Sequence, residues 1–119
     1  MIKINTATKP DKLASWGTVD NLGSEILEGA CEIAGQMLFG APTDPISCAY
    51  FSVTKGKFRM VYPFNEHATV VEGHVKLTDE RTGETQTFGP GDSWFIEKGT
   101  PVLWEVTGDR FTKNYLAVA

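Results

Sequence analysis

The sequence predicts an all-β domain, a sandwich or barrel of about eight or nine short strands. From residue 46 onward, apolar and polar residues alternate in short runs typical of half-buried strands. Glycine, proline and aspartate separate these runs at intervals of roughly ten residues, as in sandwiches and barrels. No long segment has the apolar period of a helix, so we expect antiparallel strands with few or no helices.

Length and composition limit the classes of protein that need to be considered. The chain has 119 residues with 41% hydrophobic and 22% charged residues, which is typical of one globular domain. Its net charge of −4 and the lack of a basic run argue against nucleic acid and anionic membranes as partners. The N-terminus lacks an apolar signal core, so we expect a cytoplasmic protein. Cys31 and Cys48 are expected to be reduced, structural thiols.

The first third of the chain has a less regular pattern. Residues 1–24 are polar and are predicted to form an N-terminal arm, in which Ile2 and Ile4 would add a strand to the sheet of a second copy. Within the arm, residues 13–23 are predicted to be a loop. Residues 25–119 would form the main domain. Its first part, residues 25–39, is crossed by regularly spaced glycines that favour short strands over a helix.

The later runs give clearer strand predictions. Residues 47–62 are predicted to form a hairpin that turns at Lys55-Gly56-Lys57. Residues 84–88 are expected to pair back on the strand before the polar turn at 79–83. Further strands are predicted over residues 66–72, 74–78, 93–96, 102–106 and 111–118.

Two ordered motifs resemble the cupin superfamily. Glu66 precedes a turn at Gly73, and Pro90-Gly91-Asp92 precedes an apolar strand and a second turn glycine. More narrowly, the chain resembles the small single-domain RmlC-like cupins of the (S)-ureidoglycine aminohydrolase type. That resemblance rests on Gly56, Phe58, Tyr62, Pro63, Glu66, Glu72, Gly73, Trp104, Val106, Lys113 and Tyr115. It implies a cupin-type antiparallel β-barrel, or jelly roll, and a homodimer.

Many cupins hold a divalent metal through three histidines and one glutamate. This chain has only two histidines, His67 and His74, so it lacks a three-histidine set. The expected histidine positions fall on Met60, Tyr62 and a position near Val102, and only Glu66 keeps its ligand type. We therefore predict no metal cofactor.

Glu66 is the candidate catalytic residue, as a general acid or base or as the anchor for a ligand amine. The alternative is a buried carboxylate paired with Arg59 or with a tyrosine. Tyr62 occupies a histidine position and would orient a ligand, unless it is only part of the core.

The other candidates would bind the ligand. Arg59 would grip a substrate carboxylate, or would be a solvated strand charge. Lys113 would neutralise Glu66 or hold an anion if it points inward, as the family pattern implies; base rates favour an outward, solvated lysine. Trp104 is the candidate pocket wall. Tyr50 and Tyr115 belong to an aromatic set that would otherwise be core.

These residues predict a small cupin that binds an amine- or carboxylate-bearing metabolite in the barrel. It would be a metal-independent hydrolase or isomerase that uses Glu66 as acid and base. The alternative is a non-catalytic, dimeric binding or accessory module of a metabolic pathway.

Overall fold

The computed structural model describes residues 1–119 and contains nine β-strands, one short 3-10 helix and no α-helix. The predicted all-β class is therefore confirmed. The strands are β1 (Ala14–Thr18), β2 (Glu25–Gly29), β3 (Glu32–Phe39), β4 (Ile46–Val61), β5 (Asn65–Glu72), β6 (Val75–Asp79), β7 (Thr85–Phe88), β8 (Ser93–Ile96) and β9 (Pro101–Val118). All strand pairs are antiparallel.

Two long strands, β4 and β9, pair from end to end except at one bulge, and both belong to two sheets. In the first sheet the order is β1-β3-β4-β9-β5-β8. In the second sheet the other ends of β4 and β9 lie between β2 and β6, and β7 pairs with β6. The sheets face each other, since the ring centroids of Trp94 and Trp104 lie 5.8 Å apart. β7 and β8 do not pair, so the barrel is open between them.

The predicted hairpin over residues 47–62 is wrong, because β4 is one continuous strand. Its ladder with β9 shifts register between Thr54 and Gly56, which makes a bulge where a turn was expected. A Cβ on Gly56 would lie 2.3 Å from Cys31 Sγ and 2.6 Å from the Glu28 carbonyl oxygen. Glycine is therefore required at position 56 because β2 approaches too closely for a side chain. The local sequence does not distinguish a glycine at a close approach from a glycine in a turn.

The two strands predicted at 102–106 and 111–118 are also one strand, β9. The ladder between β4 and β9 is interrupted only briefly. Gly56 pairs with Val106, and Thr54, two residues earlier on β4, pairs with Arg110, four residues later on β9. Residues 107–109 therefore have no partner on β4. Pairing with β4 on both sides of this point keeps the strand continuous.

The N-terminal predictions need correction. Residues 13–23 are not a loop, since they contain β1 and a 3-10 helix over Val19–Leu22. β1 is held by pairing with β3, and the Trp16 ring packs over Gly35, where a Cβ would lie 2.1 Å from the ring. Ile2 and Ile4 lie outside the strands of the single chain, and their pairing with the sheet of a second copy stays a prediction. The division into an arm over residues 1–24 and a main domain over residues 25–119 stays a prediction.

The core lies between the sheets and is dominated by aromatic rings. Trp104 stacks on Phe58 with centroids 5.2 Å apart, and Trp94 stacks on Phe111 at 6.0 Å. Gly73 and Gly91, the two motif glycines, have positive φ angles of 76° and 90°, which glycine adopts without strain. No helix is long and apolar enough to cross a membrane.

Candidate functional site

A buried ion pair lies inside the barrel between Glu66 and Lys113. Glu66 is 1% exposed, and Lys113 Nζ lies 2.5 Å from Glu66 Oε2. Strand alternation explains why the Glu66 and Lys113 side chains are in contact. Lys113 pairs with Val70, and Glu66 lies four residues before Val70 on the same strand, so both side chains are on the inner face. The expectation that base rates favour an outward Lys113 is therefore wrong, and the family pattern placed it correctly.

Two further donors complete the hydrogen bonding of the Glu66 carboxylate. The Tyr62 hydroxyl and the Trp94 indole Nε1 each donate to Glu66 Oε1, both at 2.8 Å. Both side chains are buried. Each carboxylate oxygen therefore has a partner, as a buried charge requires. The sequence predicted pairing with a tyrosine, whereas Arg59 takes no part.

Four aromatic rings surround the Lys113 ammonium. Its Nζ lies 4.9 Å from the centroids of Trp104 and Tyr115, 5.1 Å from Phe51 and 5.6 Å from Trp94. The faces of such rings attract a cation. Burial nevertheless lowers the pKa of Lys113, and the Glu66 carboxylate opposes this shift only in part.

One buried donor in this cluster has no hydrogen-bond acceptor, the indole Nε1 of Trp104. The ring is 1% exposed, so water does not satisfy it from outside. The Tyr62 hydroxyl is a neighbour: burial and the Glu66 charge raise the pKa of Tyr62, while the indole groups of Trp94 and Trp104 act in the opposite direction. Buried N–H groups without a partner are uncommon in folded proteins and call for an explanation, such as a bound water, ion or ligand.

The predicted site residues separate into two groups. Glu66, Tyr62, Trp104, Lys113 and Tyr115 come together in the interior. The other two candidates, described next, lie away from this cluster.

Arg59 lies on the outer side of the second sheet, where it makes two hydrogen bonds to the Glu80 carboxylate and an ion pair with Glu25. Tyr50 belongs to the outer side of the first sheet, and its hydroxyl donates to the carbonyl oxygen of Asn5. Neither side chain contacts Glu66.

Trp94 is the candidate-site residue that sequence reasoning missed. Its place depends on the β5–β8 ladder, in which Trp94 pairs with Ala68, and Ala68 faces inward with Glu66. Trp94 also lines a cleft of about 560 Å³ at the open side of the barrel. Leu77 and Val102 line the same cleft beside it.

The residues in the barrel do not fit the metal centre that many cupins carry. Lys113 already supplies the positive charge next to Glu66. His67 lies on the outer side of the first sheet, opposite Leu116, and His74 lies against Gly89 at the β5–β6 turn. No three His, Cys, Asp or Glu side chains form a cluster that could hold a metal.

The raised pKa values of the interior tyrosines predict alkaline unfolding. Burial raises the pKa of Tyr115 to about 12, and the Glu66 charge adds to this shift. Above pH 10 the unfolded chain loses a proton that the folded chain keeps, so the stability contributed below pH 10 is lost as the pH rises to about 12. Urea titrations from pH 9 to 12 should show the free energy of unfolding fall by up to roughly 1.4 kcal/mol per pH unit for this group. In a Tyr115→Phe variant the free energy of unfolding should fall less steeply over this pH range. A fall as steep as in the wild type would show that Tyr115 is not the titrating group.

The fold and its buried glutamate define a barrel protein of the cupin class. Residues 40–115 match the model of the EutQ-like cupin domain, and the chain belongs to this family. No curated protein matches the sequence.

Several solved structures are similar in fold. The EutQ protein of Clostridium difficile superposes with a TM-score of 0.63 at 19% identity, over 75% of this chain and 69% of that one. The ethanolamine utilization protein Q of Salmonella typhimurium gives 0.61 at 22% identity, over 73% and 69%. A protein of unknown function from Pseudomonas syringae gives 0.77 at 21% identity, covering 91% of this chain and 45% of that one. At these identities the likeness shows the fold alone.

Proposed function

We propose that this protein binds a small carboxylate-bearing metabolite between its two sheets. The barrel interior has more hydrogen-bond donors than acceptors. Tyr62, Trp94 and Trp104 bring one donor each and the Lys113 ammonium brings three, while the Glu66 carboxylate accepts from Tyr62, Trp94 and Lys113 but not from Trp104. The unpartnered Trp104 Nε1 carries the proposal, because a ligand carboxylate beside Lys113 would supply its missing acceptor.

The cleft between β7 and β8 is the proposed entrance. Its volume of about 560 Å³ suits a small metabolite, and Trp94 separates it from Glu66. Leu77, another lining residue, pairs with Trp104 in the β6–β9 ladder. A ligand would therefore reach Trp104 and Lys113 when the Trp94 side chain moves away from Glu66.

A bound carboxylate would share Lys113 with Glu66. Two carboxylates close together in a buried site do not both stay ionised, so binding should take up a proton. Isothermal titration in two buffers of different ionisation enthalpy measures this uptake directly.

The binding proposal predicts a thermal shift with small mono- and dicarboxylates and none with matched primary amines. A ligand at 100 times its Kd stabilises the folded state by about 2.7 kcal/mol. Trp104→Phe keeps a ring of similar character without the N–H and should reduce the shift, whereas Arg59→Ala should leave it unchanged. A shift that is equal in Trp104→Phe, or that appears only with amines, would contradict the proposal.

Metal-independent catalysis is the second candidate, with Glu66 as acid and base in a hydrolysis or isomerisation. The contact between Glu66 and the lowered-pKa amine of Lys113 favours it, since a proton can pass between the two groups. Turnover of a bound carboxylate, followed by NMR and abolished by Glu66→Gln, would support catalysis. An unchanged ligand would favour the non-catalytic accessory module.

The narrower resemblance to (S)-ureidoglycine aminohydrolase-type cupins also stays a proposal. The absence of a metal is a proposal too, and elemental analysis of the purified protein tests it.

A further inference from the structure

Lys113 differs from every other lysine of the chain. It is the only buried lysine, at 5% exposed, and its Nζ makes a single hydrogen bond, to Glu66 Oε2. On its other sides the ammonium faces aromatic rings. Replacing a buried ion pair by apolar residues of similar volume is often neutral or stabilising, so stability alone does not account for a lysine at this position.

The Glu66 carboxylate is arranged so that one of its oxygens serves Lys113 alone. Tyr62 and Trp94 both donate to Oε1, whereas Oε2 accepts only from Lys113 Nζ. The two donors orient the carboxylate, so Oε2 is held where it can take a proton from Nζ and return it. Burial lowers the pKa of Lys113, which makes the neutral amine easier to form. A desolvated lysine that can lose its proton is the kind of nucleophile that forms imines with carbonyl compounds.

We propose that Lys113 forms an imine with the carbonyl group of an α-keto acid bound between the two sheets. The ligand is the carboxylate already proposed to bind beside Trp104, so imine formation rests on that binding. Lys113 Nζ lies 4.9 Å from the centroid of the Trp104 ring. A hydrogen bond from Trp104 Nε1 to the ligand carboxylate spans about 2.9 Å. This close spacing favours an oxo group on the carbon next to the carboxylate over one further along the ligand.

The reaction balances with the groups that the site holds. A proton passes from Lys113 Nζ to Glu66 Oε2, and the nitrogen lone pair forms a bond to the carbonyl carbon. Two of the three ammonium protons reach the carbonyl oxygen through Glu66 and leave with it as water when the carbon–oxygen bond breaks. The third proton stays on the nitrogen, which then has a double bond to carbon and a positive charge. Glu66 ends as it began.

The surroundings of Lys113 suit the charged imine that results. Its positive charge stays at the position of the former ammonium, so the buried Glu66 carboxylate regains its counter-charge. The four aromatic rings that face the ammonium would face the charged imine as well. The same residues that stabilise the lysine therefore stabilise the product of the reaction.

Reductive trapping on the full chain tests imine formation. The protein is incubated with sodium cyanoborohydride and pyruvate, α-ketobutyrate or α-ketoglutarate, and labelled peptides are identified by mass spectrometry. At least one acid should give a secondary amine at Lys113, with about ten-fold more label than any exposed lysine, because the neutral amine is the reacting form. Lactate, which has a hydroxyl in place of the oxo group, should give no adduct.

Two variants identify the reacting amine. Lys113→Arg keeps a positive charge beside Glu66, but a guanidinium stays protonated and forms no imine, so only the slow labelling of exposed lysines should remain. Lys76→Arg is the matched control: Lys76 forms an exposed ion pair with Glu105, and its replacement should leave the labelling of Lys113 unchanged. Peptide mapping of the wild type decides the question by itself if Lys113→Arg fails to fold.

Thermal shifts measured on the same samples separate imine formation from binding. Equal shifts with pyruvate and lactate, without an adduct at Lys113, would overturn imine formation and leave the proposed binding intact. No shift with any carboxylate and no adduct would overturn both. The α-keto acid assignment would also be overturned by label spread evenly over the exposed lysines, or by an adduct that forms as readily with propanal, which has no carboxylate.

Discussion

Replacing Lys113 with methionine should lower the free energy of unfolding by about 3–5 kcal/mol. Methionine fills a similar volume among the aromatic rings but leaves the Glu66 carboxylate buried without its counter-charge. Urea denaturation at neutral pH measures the loss.

A double variant separates the charge from the packing. Glu66→Gln with Lys113→Met removes both charges, and the glutamine oxygen still accepts from Tyr62 and Trp94, so most of the lost stability should return. Lys57→Met is the matched control, since Lys57 forms an exposed ion pair with Glu105 and should change stability by less than about 1 kcal/mol. If the double variant is as unstable as the single one, the ion pair is not the cause.

Replacing Trp104 with alanine should cost about 3–5 kcal/mol, because it leaves a large cavity at the centre of the barrel. The indole packs on Phe58, Phe111 and Trp94, with centroid distances between 5.2 and 5.8 Å. Differential scanning calorimetry should show a much lower Tm.

Two comparisons identify what the Trp104 side chain contributes. Trp104→Phe keeps most of the packing and removes a donor that has no acceptor, so it should cost far less than alanine. Val61→Ala removes an exposed apolar group and should stay within about 0.5 kcal/mol of the wild type. An alanine variant as stable as Val61→Ala would contradict the central role of Trp104 in the core.

Much of the candidate site could be predicted because strand parity is local information. Once Glu66 is placed inside the barrel, the alternation along one strand fixes which neighbours share its face. The resemblance to cupins identified Glu66, Tyr62, Lys113 and Tyr115, and all four side chains come together in the interior. Trp94 was missed because its role depends on which residue lies across the β5–β8 ladder.

The errors in the fold have the same origin. Gly56 was interpreted as a turn because glycine between two lysines usually reverses a strand. Its real role depends on Cys31 and Glu28, distant in sequence, which come too close for a side chain. Arg59 is a different case: it follows the inward Phe58 on β4, so alternation puts it on the outer side, where Glu80 accepts its hydrogen bonds.

The sequence alone determined the all-β class and most strand positions, because alternation and turn residues act over a few neighbouring positions. The inward Glu66 came from the resemblance to cupins. Only the tertiary structure decided that Lys113 neutralises Glu66 and that Trp94 both bonds Glu66 and lines the cleft. These features depend on the pairing of β4, β5, β8 and β9 across as many as 72 positions of chain (Ile46 lies opposite Val118), and local residue patterns do not encode such pairing.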